Sequence, residues 1–338
     1  MGFFLGGRKK GCCFARTLVL CAIVAGCLVF SSTAQASITI NFDFDNTNYT
    51  WSDTQKAAMN NAATGFSNMF GSHFSNSGSI TLQATAYDDP EVNVLASAGS
   101  KTVWDSAGYT GTFGANKVVR NILVNGTDLN GAEADGVVNV NFAYFDVLDI
   151  NATVPAGTYD FYSTLYHEFI HTLGFASGIT QSGDDVWGNY TEGYGKWALF
   201  DQYLVDKNGN RVVGNDYVLN QAIWDAASIG GVEDGMYFNG PNAVAANGGD
   251  LIHLFSPTTW EPGSSISHLD DQYYDTIDLL MEAYAYDGPN VRDLSDIEVG
   301  MLQDLGYTAT AIPLPSALIM LLPGVVGVLY GHRARRRR

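Results

Sequence analysis

Cysteine is missing from residues 37–312. The chain's four, Cys12, Cys13, Cys21 and Cys27, all lie within its first 36 residues. A segment without cysteine forms no disulfide and performs no thiol chemistry, so its stability rests on its core and on any metal it holds. Positive charge is nearly as scarce. Residues 37–312 hold all 35 acidic residues and only eight basic ones, so the net charge of −18 for the 338-residue chain understates the −27 of this segment. A surface of that sign repels a phosphate backbone, which excludes nucleic acid as a partner. The apolar runs Leu18–Phe30 and Ser316–Tyr330 have 13 and 15 residues, short of the roughly 20 that span a bilayer. Internal repeats and long low-complexity linkers are absent too. Apolar material is plentiful: 46% hydrophobic against 15% charged residues excludes a disordered acidic tail and leaves ample substance for a core.

The two ends read as addresses. In residues 1–36 the basic stretch Arg8–Arg16 precedes the apolar run, and Ala34-Gln35-Ala36 offers small residues where a signal peptidase reads. Cleavage is expected after Ala36. At the other end, Ile312-Pro313-Leu314-Pro315 leads into the second apolar run and then into Arg333 and Arg335–Arg338, which should stay cytoplasmic. The division is therefore 1–36 signal peptide, 37–312 folded domain, 313–338 sorting or anchor segment. The export signal peptidase and a C-terminal sorting machinery are the implied partners. The expected residence is the cell surface, outer membrane or medium, after a transient hold in the inner membrane.

Within the domain, Ser37–Asp45 alternates, with Ile38, Ile40, Phe42 and Phe44 on one face, as a strand does. Asp53 can cap a helix running to about Phe70, and Ile80–Tyr87 and Val137–Phe145 read as two further strands. A helix is expected from about Thr158 to Leu173, stopped by Gly174. A hairpin is expected over Tyr203–Val213, turned at Asn208-Gly209, and a closing helix over Asp293–Leu305. Strands and helices mix without regular βαβ alternation, which predicts an α+β fold.

The chemistry is concentrated in Tyr166-His167-Glu168-Phe169-Ile170-His171. Residues four apart share one helix face, with Cβ atoms about 5–6 Å apart, so His167 and His171 can both reach one zinc ion at about 2.0–2.1 Å. Glu168, one residue round the helix, can reach a water on that ion. With six His and eight Glu in the chain, the pattern arises by chance about once in 400 such chains.

Zinc chemistry needs a third protein ligand and one open position. His73, His253 and His268 are the remaining histidines of residues 37–312, and Glu192 and Asp201 are carboxylate candidates. Glu192 lies 21 residues past His171, but Asn189–Gly195 carries two glycines in three residues and is a poor helix. His253, between Ile252 and Leu254, reads as a strand histidine, and His73 sits at a helix end, where a cation is favoured.

The stretch His167-Glu168-x-x-His171-x-x-Gly174-Phe175 resembles the start of the metzincin motif. Ser177 stands where the commonest metzincins place their third histidine. The leishmanolysin-like branch delays that histidine behind a long insertion and follows it with a methionine-containing turn. Here Ser267-His268-Leu269-Asp270 lies 94 residues past Gly174, and Leu280-Met281 follows 13 residues after His268. The resemblance spans residues 158–307 and implies a zincin-like metalloprotease domain with an active-site helix, a mixed sheet and a long insertion before the third ligand. It implies His167, His171 and His268 as zinc ligands, Glu168 as general base, Met281 as the floor of the site, and a protein or peptide as substrate. The tail resembles the PEP-CTERM class of bacterial sorting segments, with Leu314 where that class has Glu.

Two further expectations concern the same segment. Tyr284 and Tyr286, just after Met281, could donate hydrogen bonds to an oxyanion. Asp184-Asp185, Asp270-Asp271 and Asp206–Asn210 offer oxygen ligands for Ca²⁺, but none has EF-hand spacing, and a solvated acidic face is the better account of them. Two rival classes are a surface binding protein with a degenerate protease site and a zinc hydrolase of non-peptide substrates.

Overall fold

The computed structural model describes residues 37–103, 111–113, 116–185 and 195–310. Both terminal segments and Glu192 lie outside them. The elements that position the site are strand β1 (Ile38–Phe44), helix α1 (Asp53–His73), strands β2 (Gly78–Tyr87), β3 (Ala96–Ser100) and β4 (Gly136–Asn141), and helix α2 (Phe161–Thr172). Beyond α2 come short strands β5 (Leu204–Val205), β6 (Tyr237–Phe238) and β7 (Ile252–His253), and helices α3 (Gln221–Ala227), α4 (Pro241–Ala246) and α5 (Asp296–Asp304). The fold is α+β, as expected, and its main sheet is mixed. No helix among the described residues is long and apolar enough to cross a membrane.

The four-stranded sheet has the order β1-β2-β4-β3. β1, β2 and β4 run parallel, with Ile40 opposite Ile80 and Ala84 opposite Val138. β3 runs antiparallel to β4, with Ala98 opposite Val138, and forms one edge of the sheet. The alternation of Ile38 and Ile40 with exposed Thr39 and Asn41 turns one face of β1 inward. α1 starts at a capping box in which Ser52 and Gln55 satisfy each other's backbone N–H. It runs three residues further than its sequence suggested, to His73, whose Nε2 lies 2.7 Å from Asp293 Oδ1.

The core lies between this sheet and the two helices. Phe169 of α2 meets Phe42 of β1 at 6.1 Å and Phe66 of α1 at 5.3 Å between ring centroids. Gly65, in the middle of α1, is where Tyr166 of α2 comes closest: a Cβ there would collide with the Tyr166 hydroxyl. A glycine normally weakens a helix by about 1 kcal/mol, and here it permits the close approach of the two helices.

Other expected boundaries shift as well, and the closing helix expected over Asp293–Leu305 runs from Asp296 to Asp304, started by the Ser295 cap. The strand expected over Val137–Phe145 ends at Asn141, whose side-chain oxygen accepts the Ala143 N–H and starts a 3-10 turn over Phe142–Tyr144. The helix expected from Thr158 starts at Phe161 because Asp160 caps it. The hairpin over Tyr203–Val213 is reduced to a turn with one bridge, Val205 to Arg211. Asp206 accepts the N–H groups of Asn208 and Asn210 and closes the turn tightly, and β5 instead pairs with β6.

Candidate metal centre

Helix α2 is pinned at both ends. At its start Asp160, buried, accepts the N–H groups of Tyr162 and Ser163 at 3.0 and 3.1 Å. The same carboxylate receives Arg292 Nε at 2.9 Å and Nη2 at 2.8 Å, while Ser163 Oγ donates to Val291 O at 2.6 Å. At its end Gly174 takes φ +105°, a left-handed conformation that glycine adopts without steric cost, and the Tyr307 hydroxyl donates to Leu173 O at 2.9 Å. A helix so fixed holds His167 and His171 on one face with little freedom.

The third histidine arrives from 97 residues on. His268 follows a turn in which Ile266 has φ +66°, a conformation costing a β-branched residue on the order of 1–3 kcal/mol. Full burial of Ile266 and its N–H bond to Phe255 O at 2.8 Å hold it there. The next stretch is clamped to the Met281 segment by the Leu269 N–H bond to Met281 O at 2.8 Å.

The three imidazoles converge. The distances between Nε2 atoms are 3.0 Å for His167–His171, 3.0 Å for His167–His268 and 3.1 Å for His171–His268. Each Nδ1 donates to a backbone carbonyl: His167 to Leu280 O at 2.7 Å, His171 to Phe175 O at 2.6 Å, His268 to Ser264 O at 2.8 Å. A neutral imidazole has one N–H, and these bonds place it on Nδ1 in all three. Three lone pairs then face one another. Burial and mutual repulsion keep the rings neutral: His167 is pushed down to about 3, His171, by burial, to about 4, and His268 well below the ordinary histidine range. Such an arrangement is unfavourable alone and suited to a cation at its centre. It is the one group among the described residues in which three metal-ligating side chains come together.

Glu168, 7% exposed, accepts the Ala98 N–H of β3, and burial pushes its carboxyl up to about 8. The histidines and Glu168 open onto a cleft of about 550 Å³. Its walls are β3 with the preceding residues, the exposed face of α2, the Pro262–Ser264 turn and the segment Leu279–Ala285.

The other candidates fall elsewhere. His253 lies in β7, stacked on Tyr273 with ring centroids 3.4 Å apart. Asp201 is fully buried, accepts Ser177 Oγ at 2.7 Å and the Ala198 N–H at 2.8 Å, and is pushed up to about 7 by burial. Ser177 thus braces the loop after α2, and its N–H donates to Ser267 Oγ at 3.2 Å. Met281 is completely buried in the core, and its N–H donates to Glu298 Oε1 at 2.7 Å. Tyr284 stands at the rim of the cleft with its hydroxyl donating to Glu261 Oε1 at 2.7 Å, whereas Tyr286, 59% exposed, does not line it. Among the described residues the acidic loops do not come together as a metal-ligating group: Asp271 accepts the N–H groups of Ala283 and Tyr284, Asp270 those of Gln272 and Tyr273, and Asp206 those of its own turn.

Several supporting residues carry no signal in the sequence. The carbonyls of Leu280, Phe175 and Ser264 leave no mark, because every residue has one. β3, Ala-Ser-Ala-Gly-Ser, has no large apolar residues to alternate. The Asp160–Arg292 pair joins residues 132 apart. Glu298 alone was readable, as the end of the Ser-x-x-Glu capping box that starts α5. No protein-family model, no curated protein and no solved structure matches this chain.

Proposed function

We propose that this chain is a zinc-dependent endopeptidase with a zincin-like domain, exported and sorted to the cell surface by its two terminal segments. The observation that carries the reading is the convergence of three bare imidazole nitrogens beside a buried glutamate, on a cleft bordered by a sheet edge. The donor set suits zinc, which takes neutral imidazole nitrogens, and carbonyl partners on the far ring nitrogens are the usual support for such ligands. Nitrogens 3.0–3.1 Å apart are near the edge of about 3.3 Å that a tetrahedral site of this bond length requires. Three protein ligands leave the fourth position free for water or substrate.

Zinc held by His167, His171 and His268 would supply Lewis acidity, bringing a water to ionise near pH 7 and polarising a carbonyl. The rest falls to the chain. An extended substrate can pair with the edge of β3, which sets its scissile bond against the face of α2. Glu168 takes the proton of the attacking water and passes it to the leaving amine. Its raised affinity for a proton suits the second half of that cycle, and a nearby cation restores the carboxylate needed for the first. The Ala98 N–H fixes its orientation. Tyr284, pushed up to about 12 by burial and by Glu261, keeps its proton at neutral pH and becomes an oxyanion donor if it turns from Glu261. Met281 would form the apolar floor.

Metal analysis of the purified protein should find one zinc per chain, and cleavage of a peptide library should stop on chelation. Glu168→Gln should keep the zinc and lose at least about 100-fold in turnover. A Glu168→Gln protein with normal turnover would overturn the mechanism, and a metal-replete protein that cleaves no peptide would overturn the substrate class.

A further inference from the structure

We infer that Glu282 determines specificity in this cleft, by selecting a lysine or arginine side chain next to the bond that is cut. The inference rests on the endopeptidase reading above and names the substrate class. Glu282 follows Met281 and pairs with Leu269, the neighbour of His268, in a parallel bridge. This places it beside the segment that supports the histidines, and it lines the same cleft.

The charge in that cleft is one-sided. The residues lining it include no Lys or Arg, and its only carboxyl groups are those of Glu168 and Glu282. Glu168 is committed beside the histidines. Glu282 is half-buried, and its carboxyl accepts the Leu279 N–H. The ion pairs among the described residues join His73 to Asp293, Lys207 to Asp234 and Arg292 to Asp160, and none includes Glu282. Its surroundings add more negative charge, from Asp271, Asp278 and Glu298, and with burial as the largest cause they push it up to about 8. A carboxylate that is partly dehydrated and surrounded by acids is stabilised most by a cation entering from the open side, and the open side is the substrate's.

The remainder of the molecule agrees with a cationic substrate. A net charge of −27 over residues 37–312 raises the local concentration of positively charged peptides and speeds their encounter. Of the eight basic residues in that range, Arg292 is locked to Asp160, Arg120 donates to Leu305 O and Lys207 pairs with Asp234.

A peptide library with every residue type at each position around the cut tests this directly. The full protein should enrich Lys and Arg at one position flanking the scissile bond. Glu282→Gln keeps an oxygen for the Leu279 N–H and so should fold and hold metal normally. It should lower kcat/KM about 10- to 100-fold for basic substrates and leave neutral ones unchanged. Glu282→Lys should shift the preference toward Asp and Glu. Cleavage with no basic preference, or a preference that Glu282→Gln leaves intact, overturns the inference while the endopeptidase reading stands. Absence of cleavage with any peptide overturns that reading itself, and the inference with it.

Discussion

The protein is built in two manners, and they meet at the three histidines. Up to Phe175 the backbone satisfies itself in regular elements, including a 21-residue helix and a 10-residue strand. Past Phe175 the described strands are two residues long and the longest helix has nine. There the chain is held by buried carboxylates that accept backbone N–H groups. Asp201 holds Gly178 and Ala198, Asp271 holds Ala283 and Tyr284, Glu298 holds Met281 and Ser295, and Asp304 holds Asn242 and Ala243. Each carboxyl accepts two backbone N–H groups, so a few such staples can replace a ladder. The difference assigns separate dependences to the site: His167 and His171 depend on a helix, His268 on staples.

The sharpest division of the two halves is His268→Ala. It should reduce zinc affinity by well over 100-fold, since removal of even an outer partner costs 10–100-fold, while circular dichroism and the melting transition show a folded chain. His253→Ala should leave the metal in place. If His253→Ala empties the site and His268→Ala does not, the ligand set is wrong.

Next comes Asp160→Ala, which attacks the helical half. It removes the cap of α2 and strands Arg292, whose side chain is 28% exposed against 2% for Asp160. Loss of about 3–5 kcal/mol is expected in urea unfolding, mostly from the unpaired charge. A cost below about 1 kcal/mol would show that the helix does not need this anchor.

Glu298→Ala attacks the stapled half. It leaves the buried Met281 N–H without a partner and breaks the α5 capping box, for about 2–3 kcal/mol. The neighbouring Leu280 carbonyl orients His167, so zinc affinity should fall about 10- to 100-fold. Equal losses of stability with unchanged affinity would separate the staple from the site.

The two halves also share a pH dependence in the metal-free protein. Glu168 has a folded value of about 8 against an ordinary 4.5, so the folded state holds the extra proton and stability falls as pH rises through that range. Glu282 and Asp201 act in the same direction. His167 and His171, at about 3 and 4 against 6.5, act the opposite way: the unfolded state holds the extra protons, and stability rises until pH 6.5. The two trends oppose each other below 6.5, and only the carboxylates remain above it. Thermal unfolding of chelated protein should therefore show stability declining from pH 6.5 to 8, on the order of 1 kcal/mol per pH unit for each carboxylate still protonated. Glu168→Gln should make that decline shallower. A stability that rises from 6.5 to 8 would contradict the burial of these acids.

The sequence by itself determined what short-range periodicity can encode. The spacing of Ile38, Ile40, Phe42 and Phe44 specifies a strand with one inward face, and the four-residue interval from His167 to His171 puts two imidazoles side by side on any helix. Gly174 ends that helix because only glycine takes its backbone angle cheaply. Only the tertiary structure decided the rest. Residues 97 and 113 positions apart meet there, as His171 meets His268 and His167 meets Leu280 O. The small residues of β3 become a sheet edge because Val138 and Val140 of β4 offer them a ladder. The proton sits on Nδ1 of each histidine because a carbonyl waits there, and the sum of those three bonds is what turns the other ring nitrogens toward one point.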